Sequence, residues 1–227
     1  MKKSTLYLIR HAQASAEKDD YDQLSSLGKQ QCISLSDHLK NKPISAVYVG
    51  PRKRHWQTYA LSAQDHWPAP QKTSLLDEFP AHALLQFGLQ QLTFLEPQLA
   101  PSITALKNRT IPSQQAYGLL LQKLTHHWIA GNLQLAEIEN THLYHERIQR
   151  QLHLLIENQG NQLIFSSAGT ISSMVGLACH AKPSIAIQSA WKLFNTSITR
   201  IDVQDGTPIL SCFNKIEHIP IPERTRL

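Results

Sequence analysis

An α/β fold built on a mostly parallel sheet is what the sequence predicts, from three observations. The short runs Leu6–Ile9, Ala46–Val49 and Leu163–Phe165 are continuously apolar, as in strands covered on both faces of a parallel sheet. Each is followed within a few tens of residues by a stretch with helical spacing. Each ends in a polar loop: Arg10-His11, then Pro51-Arg52-Lys53-Arg54, then Ser166-Ser167-Ala168-Gly169.

The elements follow in order. After the first strand, Ser25 or Ser26 can cap a helix running through Gly28 to about Lys40. In it Cys32, Leu35 and Leu39 form one apolar stripe, and Pro43 stops the run. The second strand is closed by Gly50-Pro51, and Trp56 to Ala63 reads as helix. From Leu84 to Gln159 the pattern is largely helical, in LLQFGLQQLTFL, YGLLLQKLTHHWIA and HERIQRQLHLLIE, with a loop expected around Pro101 to Pro112. Phe87, Trp128 and their leucine neighbours are expected in a core. We take about 80–160 as a helical insertion in a single domain of 227 residues, covering the sheet. The third strand leads through the Ser-Ser-Ala-Gly turn to a helix from about Ile171. SITRIDV and PILSCF flank an Asp-Gly and read as a hairpin, and IPERTRL as a frayed tail.

Composition narrows the class. With 41% hydrophobic and 17% charged residues, the chain has enough apolar surface for one large domain. The net charge of +5 suits an anionic ligand, but the basic residues are scattered rather than gathered in a stripe, so no nucleic acid is expected. Cys32, Cys179 and Cys212 are odd in number and far apart, which suggests neither a disulfide framework nor a zinc site. Only Leu6–Ile9 follows the Lys2-Lys3 start before Arg10, too short for a secretory segment, so a cytoplasmic protein without membrane contact is expected. His142 and His145 are three apart on a helical stretch, without an obvious third ligand. No metal or organic cofactor is therefore expected.

In open α/β sheets ligands bind beyond the carboxyl ends of the strands, so the three polar loops should converge. Their residues are similar to those of a known family. Arg10-His11-Ala12, L-S-S-L-G-K-Q-Q, P-R-K-R-H-W-Q-T, Leu76-Asp77-Glu78, Ser167-Ala168-Gly169-Thr170-Ile171 and Asn195-Thr196-Ser197-Ile198 resemble, in this order, the histidine phosphatase superfamily, also called phosphoglycerate mutase-like. The resemblance implies a three-layer α/β/α sandwich with an antiparallel edge strand, the insertion lying over the active-site face.

It also implies roles. His11 would be the nucleophile that takes a phosphoryl group onto a ring nitrogen, which requires a neutral imidazole in one tautomer. Arg10 and Arg54 would favour that neutral state and clamp the phosphoryl oxygens with planar forks of N–H donors. Glu78 would be the general acid, with Asp77 beside it as the rival. Ser167 and Ala168, with the N–H groups of the helix start, would complete the phosphate site. The implied activity is a phosphomonoesterase on a small phosphorylated substrate, through a phosphohistidine.

Five positions depart from the family pattern. Ala12 stands for the usual glycine, Ser167-Ala168 for His-Gly, Gly50 for a serine, and His55 for a small residue. The loss at Ser167 removes a preorganised donor to a developing anion, worth roughly 2.7–4 kcal/mol in favourable cases. A weakened phosphate-binding or partner-binding module is therefore the alternative function. A phosphoglycerate mutase is disfavoured, because no aromatic-Asn pair follows Arg10-His11-Ala12. The sequence names neither the substrate nor the oligomeric state.

Overall fold

The computed structural model describes residues 3–15, 22–108, 113–136 and 138–226. They form two compact units, Met1–Glu78 with Arg147–Leu227, and Phe79–Glu146. The strands are β1 (Lys3–Arg10), β2 (Ile44–Val49), β3 (Gln71–Lys72), β4 (Gly160–Ser166), β5 (Ile198–Gln204) and β6 (Thr207–Lys215). The helices are α1 (Ser26–Leu39), α2 (Lys53–Ser62), α3 (Ala81–Leu95), α4 (Ala100–Lys107), α5 (Ser113–Ile129), α6 (Thr141–Glu157), α7 (Ala168–Ala178) and α8 (Pro183–Ser189).

The first unit is built on one sheet of order β3-β2-β4-β1-β5-β6. The first four strands pair in parallel, whereas β5 runs antiparallel to β1 and β6 antiparallel to β5. Register sets Ile9 beside Phe165 and Leu8 beside Ile164, so alternation sorts side chains onto two faces. Ile9, Val47, Val49, Leu163 and Phe165 share one face, packed with Leu35 and Leu39 of α1, and Tyr59 of α2 meets the Phe165 ring edge-on at 5.7 Å. On the opposite face the Gln162 amide donates to the Leu155 carbonyl of α6 at 2.9 Å. Helices on both faces make the α/β sandwich that the sequence predicts.

Local chemistry fixes the elements nearest the sheet's carboxyl edge. The Ser25 hydroxyl accepts the Gly28 N–H at 2.9 Å and starts α1, and Cys32, Leu35 and Leu39 are buried along its inner face. A Cβ at Gly28 would lie 2.2 Å from the Gln13 carbonyl oxygen, so glycine there lets α1 approach the loop after β1. The Asp205-Gly206 turn between β5 and β6 has φ of 49° and 83°, the left-handed pair that a tight hairpin needs.

Four expectations are corrected. The loop expected at Pro101 to Pro112 is largely α4, because Pro101 falls in the first helical turn, where its missing N–H has no intrahelical role; residues 109–112 of it lie outside the described residues. Helix α7 begins at Ala168, three residues before Ile171, because Ser167 already provides the extended cap. The tail is held: the Asn195 N–H donates to the Thr225 carbonyl at 2.8 Å, and the Gln31 amide to the Glu223 carbonyl at 2.6 Å. In the second unit Leu84, Leu92, Leu120 and Leu124 are fully buried and Phe79 stacks on Trp128 at 6.1 Å, but Phe87 is 45% exposed rather than part of that core.

Candidate active site

The carboxyl ends of β1, β2 and β4 are tied by backbone hydrogen bonds. The His11 N–H donates to the Ser166 carbonyl at 2.9 Å and the Gly50 N–H to the Phe165 carbonyl at 3.0 Å. The loop after β4 and the start of α2 are thereby brought beside His11. A fourth loop, absent from the list of converging loops, holds the His11 backbone: Asn195 Nδ2 donates to the His11 carbonyl at 3.0 Å and the Thr196 N–H to the Arg10 carbonyl at 3.1 Å. Thr196 adopts φ of 56°, a costly conformation for a β-branched residue, kept here because these bonds fix Asn195 and the Thr196 N–H, and the Ser197 carbonyl accepts the Arg10 N–H at 3.2 Å.

Thr58 joins α2 to the end of β1. Its hydroxyl accepts the Ala12 N–H at 3.0 Å and donates to the Arg54 carbonyl at 2.7 Å. Arg54 and His11 are thus positioned by one side chain. The methyl of Ala12 packs with Leu24 and Cys32, and its backbone keeps a negative φ, so alanine replaces the usual glycine without strain.

His11 is buried, and its Nδ1 lies 2.8 Å from the Ala12 carbonyl oxygen. A carbonyl only accepts, so Nδ1 carries the proton. Burial first, then the Arg54 and Arg10 guanidinium groups, hold the His11 pKa well below its ordinary value. The ring is therefore neutral, with the Nε2 lone pair uncommitted by tautomer.

The two arginines are anchored differently. Arg10 Nη1 donates to the Leu193 carbonyl. Arg54 Nη1 donates to Asp22 Oδ1 at 2.8 Å, and the other oxygen of Asp22 accepts the Lys53 N–H at 2.8 Å, capping α2 where Arg52 offers no side-chain cap. Arg54 Nε is buried and makes no hydrogen bond among the described residues.

The two candidate acids separate. Asp77 Oδ1 accepts from Arg52 Nε at 2.5 Å and from the Glu78 N–H at 2.8 Å, so this oxygen of its carboxylate is engaged. The half-buried Glu78 reaches the start of α7, where its Oε2 accepts the Gly169 N–H at 3.3 Å. Ser167 caps α7 without a side-chain capping bond, and Ala168 is the helix's first residue. The Ser167 Oγ lies 2.7 Å from Nε2 of His55, a fully buried ring whose centroid is 5.8 Å from that of His11. Burial, then Arg54 and Arg52, keep His55 well below its ordinary pKa, hence neutral.

Sequence reasoning set Arg10, His11, Arg54, Ser167 and Ala168 at three strand ends and took Glu78 from the resemblance; in the structure Arg10 ends β1, Arg54 lies in the first turn of α2, Ala168 opens α7, and Glu78 meets the Gly169 N–H. It missed Asp22, which no periodicity marks, and the partnership of His55 with Ser167, residues 112 positions apart. His142 pairs with Glu146 at 3.3 Å on exposed α6 surface. No helix among the described residues is long and apolar enough to cross a membrane.

Fold and site together define an α/β sandwich with a neutral histidine and two arginines gathered at the carboxyl ends of its strands. Residues 6–85 match the sequence model of the histidine phosphatase superfamily, branch 1. No curated protein matches the sequence. The fold is shared with solved structures of low identity. YhfR of Bacillus stearothermophilus is 15% identical with a TM-score of 0.68, covering 96% of this chain and 100% of that one. The alpha-ribazole phosphatase of Shigella flexneri is 17% identical with a TM-score of 0.62, over 93% and 96%. A phosphoglycerate mutase from Bacillus anthracis is 16% identical with a TM-score of 0.63, over 96% and 95%.

Proposed function

We propose that this protein is a phosphomonoesterase that cleaves a small phosphorylated substrate through a phosphohistidine at His11. The tautomer of His11 carries the reading. With Nδ1–H held on the Ala12 carbonyl, the Nε2 lone pair attacks phosphorus while the P–O bond to the leaving alcohol breaks. Arg10 and Arg54 hold the phosphoryl oxygens as charge redistributes. Protonated Glu78 gives its proton to the leaving oxygen. The resulting carboxylate then takes a proton from the water that attacks phosphorus, and the N–P bond electrons return to Nε2 with release of inorganic phosphate. Asp77, spent on Arg52 and on the Glu78 N–H, is the weaker choice for this acid.

An aryl phosphate assay tests the reading. The wild-type protein should release phosphate and, after acid-free denaturation mid-turnover, carry an acid-labile phosphoryl group. His11→Ala should do neither while keeping the wild-type circular dichroism spectrum. Equal rates for the two proteins sink the proposal. Orthovanadate binding without turnover would support the phosphate-binding module instead, and phosphoryl retention in a coupled assay would support a mutase.

A further inference from the structure

Three departures from the family pattern, Gly50, His55 and Ser167, meet at one place in the structure. A Cβ at position 50 would lie 2.3 Å from His55 Nδ1 and 2.9 Å from its Cε1, so the imidazole fills the space that a serine there would need. The other end of the ring lies 2.7 Å from the Ser167 hydroxyl. A histidine at 167 in the same rotamer would run into that ring. The His55 ring is thus accommodated because Gly50 and Ser167 leave it room.

Ser167 is also turned away from its ordinary task. A serine at a helix N-cap usually accepts an N–H of its own first turn, but this one makes no such bond and is directed at His55 instead. The first N–H groups of α7 are left to other acceptors, and one already meets the Glu78 carboxylate.

We propose that Ser167 is the side-chain hydrogen-bond donor to the phosphoryl group and that His55 is its positioning residue, the two together replacing one histidine of the family pattern. This rests on the phosphomonoesterase reading. A hydroxyl has one proton, and to give it to a phosphoryl oxygen it must accept another at its own oxygen. His55 Nε2–H supplies that bond, which places the bare nitrogen at Nδ1. Nδ1 lies beside the Gly50 carbonyl, which raises the proton affinity of the ring, but it makes no hydrogen bond of good geometry with it among the described residues. The opposite tautomer would draw the Ser167 proton onto His55 and leave no donor for the phosphoryl group.

Steady-state kinetics on an aryl phosphate test the pair. Ser167→Ala should lower kcat about 100-fold with KM little changed, as for loss of one oxyanion donor. His55→Ala should lower kcat at least about tenfold, and His55→Gln, which keeps an N–H donor and most of the volume, should recover most of that loss. Because His55 acts through Ser167, the double variant should be no slower than Ser167→Ala alone. Gly50→Ser with His55→Ala and Ser167→His should restore kcat to within about tenfold of wild type. Unchanged kcat in Ser167→Ala, or fully additive losses in the double variant, would overturn the proposal. If the wild type shows no turnover, the phosphomonoesterase reading fails separately. Orthovanadate affinity of wild type and Ser167→Ala then decides this one: a tenfold or greater loss upholds the donor, and equal affinity rejects it.

Discussion

At residue 11 the decisive feature is which ring nitrogen holds the proton, and one backbone carbonyl decides it. The Ala12 carbonyl takes the Nδ1 proton, and burial between two guanidinium groups keeps Nε2 bare. Asp22 plays the corresponding part for Arg54. Its carboxylate bridges the guanidinium and the first N–H of α2, so it fixes both the fork and the helix that carries it. Asp22→Asn keeps an acceptor but removes the charge. We expect kcat to fall about tenfold through a looser Arg54, equivalent to ~1.4 kcal/mol, while KM for an anionic ester also falls because a nearby negative charge is gone. An unchanged kcat would show that Arg54 needs no such anchor. Cys32, by contrast, has no chemical part: burial pushes its thiol up to about 12.

At the scale of elements, the site depends on how closely α1 and α2 dock against the end of β1. Gly28 permits the first approach and Thr58 bolts the second. Thr58→Val keeps the shape of the side chain but leaves the buried Ala12 N–H without an acceptor, which costs about 1–3 kcal/mol. Urea denaturation should show a loss in that range, and kcat should fall with it because His11 and Arg54 share this fastening. Full stability in Thr58→Val would mean that the backbone finds another partner. The helix periods and the Ser25 cap were legible in the sequence because both are local. The start of α7 and the existence of α4 were not, since a cap residue and a first-turn proline look the same in a loop as in a helix.

For the whole molecule, buried neutral histidines set the response to acid. His11 and His55 are held well below 6.5, and His218 is pushed down to about 4 by burial. As pH falls below about 6.5, the unfolded chain binds protons at these three positions while the native protein does not. Stability is therefore full above that value and declines through the interval down to the depressed native values. Each such histidine contributes up to ~1.4 kcal/mol per pH unit. The urea midpoint should fall between about pH 7.5 and about pH 5.5, and His55→Gln should reduce the slope by about one proton. A midpoint that rises on acidification would contradict the burial of these rings.

The sequence by itself determined the fold class and the strand ends that carry polar residues, and it named a histidine and an arginine pair as site candidates. Continuous apolar runs, helical periods and an Asp-Gly turn are written in neighbouring residues, and the motif order does the rest. Tertiary structure alone decided that Asp22 anchors Arg54, that loop 195–197 holds the His11 backbone, and that His55 stands against Ser167. These contacts join residues from 32 to 184 positions apart. Their pairing depends on where separate loops meet in space, and no local pattern in the chain encodes that.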